Sequence, residues 1–151
     1  MASTTGPARQ FRKTVTVEEL NRIHRNTVCE RLGIEYIEVG PDFLRARMPV
    51  DERTRQPAGI LHGGASVTLA ESLGSVAAWL CLEPGLTSVG LDINANHIRA
   101  KTEGWVHGIS RALHVGRTTH VWQIEITDDD DRLVCTARIT MAIVPQRRAP
   151  G

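Results

Sequence analysis

Alternating apolar and polar positions dominate the second half of the chain. From Leu133 to Ile143 every second side chain is apolar, and the intervening positions include Thr136, Arg138 and Thr140. A period of two is typical of a β-strand with one buried face. The same alternation recurs, more weakly, in three earlier segments separated by turn residues. The second half is therefore predicted to contain strands at 89–95, 105–112, 122–126 and 133–143.

In the first half of the chain, the spacing of apolar residues changes from one segment to the next. Thr16–Glu19 has the capping-box pattern and predicts the start of a short helix. Two apolar runs, Ile34–Val39 and Phe43–Met48, flank a Gly-Pro-Asp turn and predict a hairpin. A polar loop at 51–59 precedes a long apolar helix at 62–82. A helix, two strands, a long helix and four strands predict an α+β fold, with an antiparallel sheet packed on the long helix.

The ends of the chain differ from the rest in composition. Residues 1–13 are rich in small and polar types, so we expect a disordered tail. Residues 14–145 are expected to form one domain, because the chain of 151 residues suffices for a single core and has no internal repeat. Residues 146–151 are expected to form a flexible C-terminal tail.

Charge and cysteine content narrow the class of protein. The net charge is +1, so the overall field favours neither nucleic acid nor an anionic membrane. Cys29, Cys81 and Cys135 lie far apart and lack metal-site spacing, which favours free thiols in a reducing compartment. No apolar signal segment or membrane span is evident. We expect a cytoplasmic protein with no nucleic-acid or membrane partner.

The long helix has a single charged side chain, Glu71, between His62 and Leu82. A helix at the surface of a monomer should carry several charges on its outer face. We therefore infer that a second copy of the chain covers that face in a dimer. On a helical wheel, one face carries Leu69, Leu73, Val76 and Leu80, and the opposite face carries Thr68, Glu71, Ser75 and Ala78.

Glu71 and the start of the helix are the candidate chemistry. A carboxylate in an apolar setting is costly to ionise unless it is hydrogen-bonded, and perturbed carboxylates in clefts are candidates for catalysis. Ser75 follows one turn later on the same face. The helix begins with His62-Gly63-Gly64, whose free N–H groups could bind an anion or an oxyanion. A structural glutamate, and glycines that only permit a tight turn, are the alternatives.

Distance along the helix constrains how these groups combine. His62 and Glu71 are nine residues apart, which corresponds to roughly 13 Å along a helix. Both cannot contact one reacting carbonyl from the same chain. If they serve one site, two chains with antiparallel helices must share it, with Glu71 and Ser75 from one chain and Gln56, His62 and Gly63 from the other.

The motif around this helix resembles hotdog-fold acyl-CoA thioesterases. Similar groups are the bacterial dihydroxynaphthoyl-CoA thioesterases of menaquinone synthesis, their enterobactin-pathway proofreading relatives and the Glu-dependent hydroxybenzoyl-CoA thioesterases. The resemblance extends from about Thr16 to Val144. It is carried by QPAGILHGGAS at 56–66, LAES at 69–72, GS at 74–75, GLDINANH at 90–97 and VWQIEI at 121–126.

The resemblance implies a sheet wrapped around the central helix, a dimer with a continuous sheet and shared active sites, and usually a homotetramer that is a dimer of dimers. It implies Glu71 as nucleophile or general base and the Gly63 N–H as the group that polarises the thioester carbonyl. His62 and Gln56 would position the carbonyl, and Ser75 would hold the attacking water. The signatures of the Asp-dependent thioesterases and of Asp/His hydratases are absent from the sequence.

The same resemblance implies a surface for coenzyme A, which is part of the substrate and not a cofactor. Without it, Arg99 and Arg117 read as solvated strand ends, and His97 could be a core histidine because it has the apolar parity of its strand. We expect no metal. The implied contacts are Gly90, His97, Ile98, Arg99, Ala100, His114, Val115, Gly116, Arg117, Thr118 and Thr119.

The expected activity is hydrolysis of an acyl-CoA thioester to a free acid and CoA. The resemblance favours an aromatic acyl group, such as hydroxybenzoyl or dihydroxynaphthoyl, whereas a broad medium-chain thioesterase stays open. A non-catalytic acyl-CoA binder and a purely structural dimer helix are the rivals from other classes.

Overall fold

The computed structural model describes residues 10–147 and contains a six-stranded antiparallel sheet with a long helix on one face. The strand order is β1-β2-β4-β5-β6-β3, so β1 and β3 form the edges. The α+β prediction is confirmed. The elements are α1 Val17–Ile23, α2 Val28–Arg31, β1 Glu35–Val39, β2 Phe43–Pro49, α3 Gly63–Leu80, β3 Leu86–His97, β4 Trp105–Val115, β5 Thr119–Asp128 and β6 Leu133–Pro145.

The long helix α3 packs closely on the sheet. Its predicted apolar face is buried, from Leu69 through Leu80. Gly74 on this helix lies so close to β6 that an added Cβ would collide with Ile139. Glycine therefore lets the helix approach the sheet. On the opposite face Thr68, Glu71 and Ser75 are half-buried, whereas Ala78 is fully buried in the core, unlike the wheel prediction.

The short N-terminal helix has the predicted capping box. The Thr16 hydroxyl accepts a hydrogen bond from the Glu19 N–H, and the Glu19 carboxylate accepts one from the Thr16 N–H. Helix α2 was not predicted, because four residues give no measurable periodicity. Its Cys29 is buried, with Sγ 3.3 Å from Ser72 Oγ of α3, so packing against α3 supports this turn.

The described residues of the predicted N-terminal tail differ from expectation. Phe11 is 1% exposed and its ring centroid lies 6.1 Å from that of Trp122. The N–H groups of Arg12 and Lys13 donate to the Leu80 carbonyl at the end of α3, at 2.8 and 3.0 Å. The prediction of disorder up to residue 13 was wrong for residues 10–13. A composition rich in small and polar residues does not indicate that Phe11 is part of the core. Residues 1–9 lie outside the described residues.

The C-terminal end is also partly placed. The Gln146 N–H donates to the Gly85 carbonyl at 2.9 Å, which ties the end of β6 to the turn before β3. Residues 148–151, which belong to the predicted flexible tail, lie outside the described part of the chain. No helix between residues 10 and 147 is long and apolar enough to cross a membrane.

The edge strand β3 exposes apolar side chains. Val89 is 47% exposed, Leu91 64%, and Ile98, directly after the strand, 56%. An edge strand also has a row of backbone groups without a neighbouring strand. A bulge between Gly90 and Asp92 interrupts its pairing with β6. The long edge of β3 is therefore the part of the sheet best suited to contact another chain.

Candidate active site

The start of α3 is fixed by His62. This residue is the helix N-cap, with φ −70° and ψ 130°, and its Nδ1 accepts a hydrogen bond from the Gly64 N–H at 2.8 Å. Since Nδ1 is the acceptor, the neutral ring carries its proton on Nε2. His62 is exposed, so this Nε2–H is available to a ligand.

Gly63 is the first residue of the helix, so its N–H lacks an intrahelical acceptor. The ring of His97 lies directly beside it. A Cβ built on Gly63 would be 2.8 Å from His97 Nε2, which is too short for an ordinary contact. His97 is exposed, so the alternative that it is a core histidine is wrong. Glycine here keeps the N–H and the imidazole side by side.

One cavity of about 280 Å³ joins several of the predicted residues. Gln56 lies at its edge, where its Oε1 accepts a hydrogen bond from the Ala58 N–H. That bond leaves the side-chain NH₂ group of Gln56 free to donate. The cavity is lined by Gln56, Ile60, Leu61, Gly63, His97, Ile98, Arg99, Ala100 and Val134.

Glu71 lies two turns further along the helix and is half-buried. Among residues 10–147 its carboxylate has no hydrogen-bond or ion-pair partner, and burial raises its pKa. A Cβ built on Gly90 of β3 would be 2.9 Å from Glu71 Oε1. Gly90 therefore provides the space that the carboxylate occupies, next to the β3 bulge.

Ser75 lies on the same side of the helix, one turn after Glu71. Its Oγ is 4.0 Å from Sδ of Met141, the residue of β6 that pairs with Gly90. The structure thus brings Glu71, Ser75 and Gly90 together. A carboxylate with a raised pKa beside a hydroxyl is suited to accept a proton from water.

Within one chain, the donors at the start of α3 lie far from Glu71. Gly63 lies beside His97 and Glu71 beside Gly90, and these two β3 residues are seven positions apart in sequence. Seven residues of a strand span roughly 23 Å. In a single chain, the donors at the helix start and the carboxylate in its middle therefore do not contact the same carbonyl. The helix spacing predicted this separation.

The implied CoA residues also fall into two groups. His97, Ile98, Arg99 and Ala100 line the cavity at the start of α3. A second cavity, of about 320 Å³, lies near the other end of the helix. Thr118 and Thr119 hold the turn above it, since their carbonyls accept from the Ile143 and Gly116 N–H groups, each at 2.9 Å. The second cavity is lined by Arg12, Cys81, Leu82, Glu83, Leu86, Val115, Gly116, Arg117, His120 and Ile143.

Two residues that line this second cavity were not predicted from the sequence. Arg12 was assigned to the tail, although its guanidinium lies 2.7 Å from Glu83. His120 was given no role, yet it is 3% exposed. Its parity with Trp122, Ile124 and Ile126 was the signal that could have identified it as an inward-facing residue. Within the described ranges, no group of three His, Cys, Asp or Glu side chains could hold a metal ion.

Comparison with known proteins shows the family to which the chain belongs. The model of the thioesterase superfamily matches residues 58–135. The 1,4-dihydroxy-2-naphthoyl-CoA hydrolase of Escherichia coli is 50% identical over 134 residues, which cover 89% of this chain and 98% of that enzyme. The proofreading thioesterase EntH of Cronobacter turicensis is 46% identical over 134 residues, with coverage of 89% and 98%.

A solved structure shows the same similarity in three dimensions. The thioesterase HI1161 from Haemophilus influenzae has a TM-score of 0.90 and 45% sequence identity, and the alignment covers 94% of this chain and 99% of that one. The chain belongs to the thioesterase superfamily and has its hotdog fold. It is a thioester hydrolase.

Proposed function

We propose that the protein hydrolyses an acyl-CoA thioester, with an aromatic acyl group, to the free acid and CoA. The observation that carries this proposal is Glu71, a half-buried carboxylate without a partner among the described residues and with a pKa raised by burial. Such a group is a stronger base than an exposed carboxylate and is able to take a proton from water. The naming of the Escherichia coli relative as a dihydroxynaphthoyl-CoA hydrolase supports an aromatic substrate.

The proposed site is shared by two copies of the chain in a homodimer. One copy supplies Gln56, His62 and Gly63, and the second copy supplies Glu71 and Ser75. The separation of these groups within one chain and the exposed apolar edge of β3 support this arrangement. Two such dimers are proposed to associate as a homotetramer.

In the proposed reaction the thioester carbonyl accepts hydrogen bonds from the Gly63 N–H and the His62 Nε2–H. Glu71 takes a proton from a water held by Ser75, and the hydroxide adds to the carbonyl carbon. The negative charge that develops on the oxygen is stabilised by the two donors. Collapse breaks the C–S bond, the thiolate of CoA leaves, and the proton on Glu71 passes to it.

In the alternative route Glu71 attacks the carbonyl itself. This step forms a mixed anhydride and releases the CoA thiolate, after which water hydrolyses the anhydride. Because a thiolate is a good leaving group, neither route requires a metal or a cofactor. Labelled solvent oxygen in the Glu71 carboxylate after a single turnover identifies the anhydride route, in which water attacks the anhydride at the Glu71 carbonyl carbon.

The CoA portion is proposed to contact both groups of residues described above. Arg99 and Arg117 can pair with phosphates, and Gly116 lets a ligand approach the backbone. The remaining contacts are proposed to be Gly90, His97, Ile98, Ala100, His114, Val115, Thr118 and Thr119. The proposed location is the cytoplasm, since Cys29, Cys81 and Cys135 are free thiols.

Thiol release from a panel of aryl- and alkyl-CoA esters tests the proposal. We expect aryl esters to have the highest kcat/KM. Glu71→Gln should lower kcat by about 100-fold or more, with the dimer and the melting temperature retained, because the amide is isosteric but cannot accept the proton. Near-normal hydrolysis by this variant would remove Glu71 from the mechanism, and a preference for medium-chain esters would replace the aromatic substrate.

A further inference from the structure

Gln56 lies in a short turn that leads into helix α3. Its N–H donates to the Ile60 carbonyl at 2.9 Å, and next to this bond Arg55 and Leu61 form an isolated antiparallel bridge. The turn therefore has two arms. The first arm consists of Arg55 and Gln56, and the second consists of Leu61 and His62, which leads to the start of α3.

The segment 98–104, which follows β3, lies beside this turn. The second arm is attached to it through the backbone, since the Leu61 N–H donates to the Lys101 carbonyl at 2.7 Å. The first part of the segment, up to Ala100, lines the same cavity as Gln56. The attachment of the turn to this segment therefore determines where the Gln56 side chain lies in the cavity.

The first arm is attached to the same segment by a side chain. Arg55 Nε donates to the Thr102 carbonyl at 2.9 Å, and Arg55 Nη2 lies 3.4 Å from the Val50 carbonyl. Thr102 directly follows Lys101, so two adjacent carbonyls hold the two arms of the turn. A guanidinium has several N–H groups in a fixed planar arrangement. Arg55 can therefore supply the hydrogen bond that a neighbouring strand would otherwise give to the first arm.

The other arginine of this loop is bound differently. Among the described residues, the side-chain hydrogen bonds of Arg53 all go to the Asp51 carboxylate, with a shortest distance of 2.6 Å from Nη2 to Oδ2. Arg53 is thus bound within its own loop, whereas Arg55 connects the loop to the segment 98–104. The two arginines are two positions apart and both are exposed, so Arg53 is a matched control for Arg55.

We propose that Arg55 is a positioning residue that orients Gln56 towards the thioester carbonyl. By binding the Thr102 carbonyl, it gives the side-chain NH₂ group of Gln56 a fixed place relative to the Gly63 N–H in the same cavity. This inference rests on the proposed function and adds to it a residue that does not contact the substrate. Loss of Arg55 should slow the reaction at the carbonyl and leave binding of the nucleotide unchanged.

Two probe substrates and a double-mutant cycle test this role. Benzoyl-CoA carries the nucleotide, whereas the benzoyl thioester of N-acetylcysteamine has the same reacting bond without it. Steady-state kcat and KM are measured for the wild type, Arg55→Met, Gln56→Ala and the double variant. Methionine keeps an unbranched chain and removes the donors. Arg53→Met is the control, and Arg55→Lys is the conservative variant.

We expect Arg55→Met to lower kcat for both thioesters about fivefold to tenfold, because a displaced Gln56 no longer holds the carbonyl in place. Its KM for benzoyl-CoA should stay within about twofold of the wild type. In the Gln56→Ala background, Arg55→Met should cost less than about twofold, since the group that it positions is already absent. Arg55→Lys should recover part of kcat through its single ammonium donor, and Arg53→Met should leave kcat unchanged.

Three results would overturn the inference: an unchanged kcat, losses that add to those of Gln56→Ala, or a loss confined to KM for benzoyl-CoA. The last result would assign Arg55 to the CoA surface. If Arg55→Met does not fold, Arg55→Lys takes its place in the same cycle, and the same three results overturn the inference. A wild type that hydrolyses neither thioester contradicts the proposed function itself, whereas active enzyme with unaffected variants contradicts only the role of Arg55.

Discussion

The start and the middle of helix α3 are built in opposite ways. At the start, His62 is bound to the Gly64 N–H, and Gln56 is bound to the Ala58 N–H, so each side chain presents a fixed donor. In the middle, Glu71 has no partner among the described residues and occupies space that Gly90 leaves open. Donors that stabilise charge gain from being fixed, while a base must keep its lone pairs free.

The largest effect is expected at Gly63, where the first N–H of the helix lies beside the His97 ring. Gly63→Ala places a methyl group beside His97 Nε2, in the space through which a carbonyl would reach the helix N–H. We expect kcat/KM to fall about 100-fold, as for loss of one oxyanion donor. The melting temperature should change little, because the exposed His97 ring can move aside. Full activity of Gly63→Ala would show that the N–H of this residue is not used.

A smaller effect is expected from crowding the free carboxylate. Gly90→Ala places a Cβ 2.9 Å from Glu71 Oε1 and should shift the carboxylate, lowering kcat about tenfold. The test is a double-mutant cycle with Glu71→Gln. If Gly90 acts through Glu71, Gly90→Ala causes no further loss in the Glu71→Gln background. Additive losses would assign Gly90 to a separate function such as CoA contact.

The smallest effect is a displaced pH profile. Burial raises the pKa of Glu71 above its usual value of 4.5, so the carboxylate becomes protonated at a higher pH than an exposed glutamate. Since the base must be ionised, kcat/KM should decrease with falling pH through that raised pKa, and stay constant above it. The residual activity of Glu71→Gln is the control, because the amide cannot be protonated in this range. An acid limb that persists in Glu71→Gln would assign it to another group.

The local patterns explain which parts of the fold could be predicted. The alternation along β6 and the apolar face of α3 depend on residues close in sequence, so both can be predicted directly from the sequence pattern. The distance between His62 and Glu71 also follows from helix geometry alone, and it is sufficient to separate the two groups of site residues.

The contacts that shape the site could not be predicted in this way. The neighbours of Gly63 and Glu71 are His97 and Gly90, which lie on a strand 19 or more residues further along the chain. A sequence pattern does not record which glycine opposes which side chain. Phe11 was missed for the same reason, since only the tertiary position of Trp122 gives that ring a place in the core.

The segment at residues 10–13 determines where this chain can be shortened. A protein starting at Thr14, the boundary that composition suggests, would lack the core ring of Phe11 and the two backbone bonds to the Leu80 carbonyl. Loss of a buried phenylalanine ring alone costs about 3–5 kcal/mol, a large part of the stability of a small domain. Any recombinant version with its start chosen for solubility should therefore retain the residues from Gln10 onward.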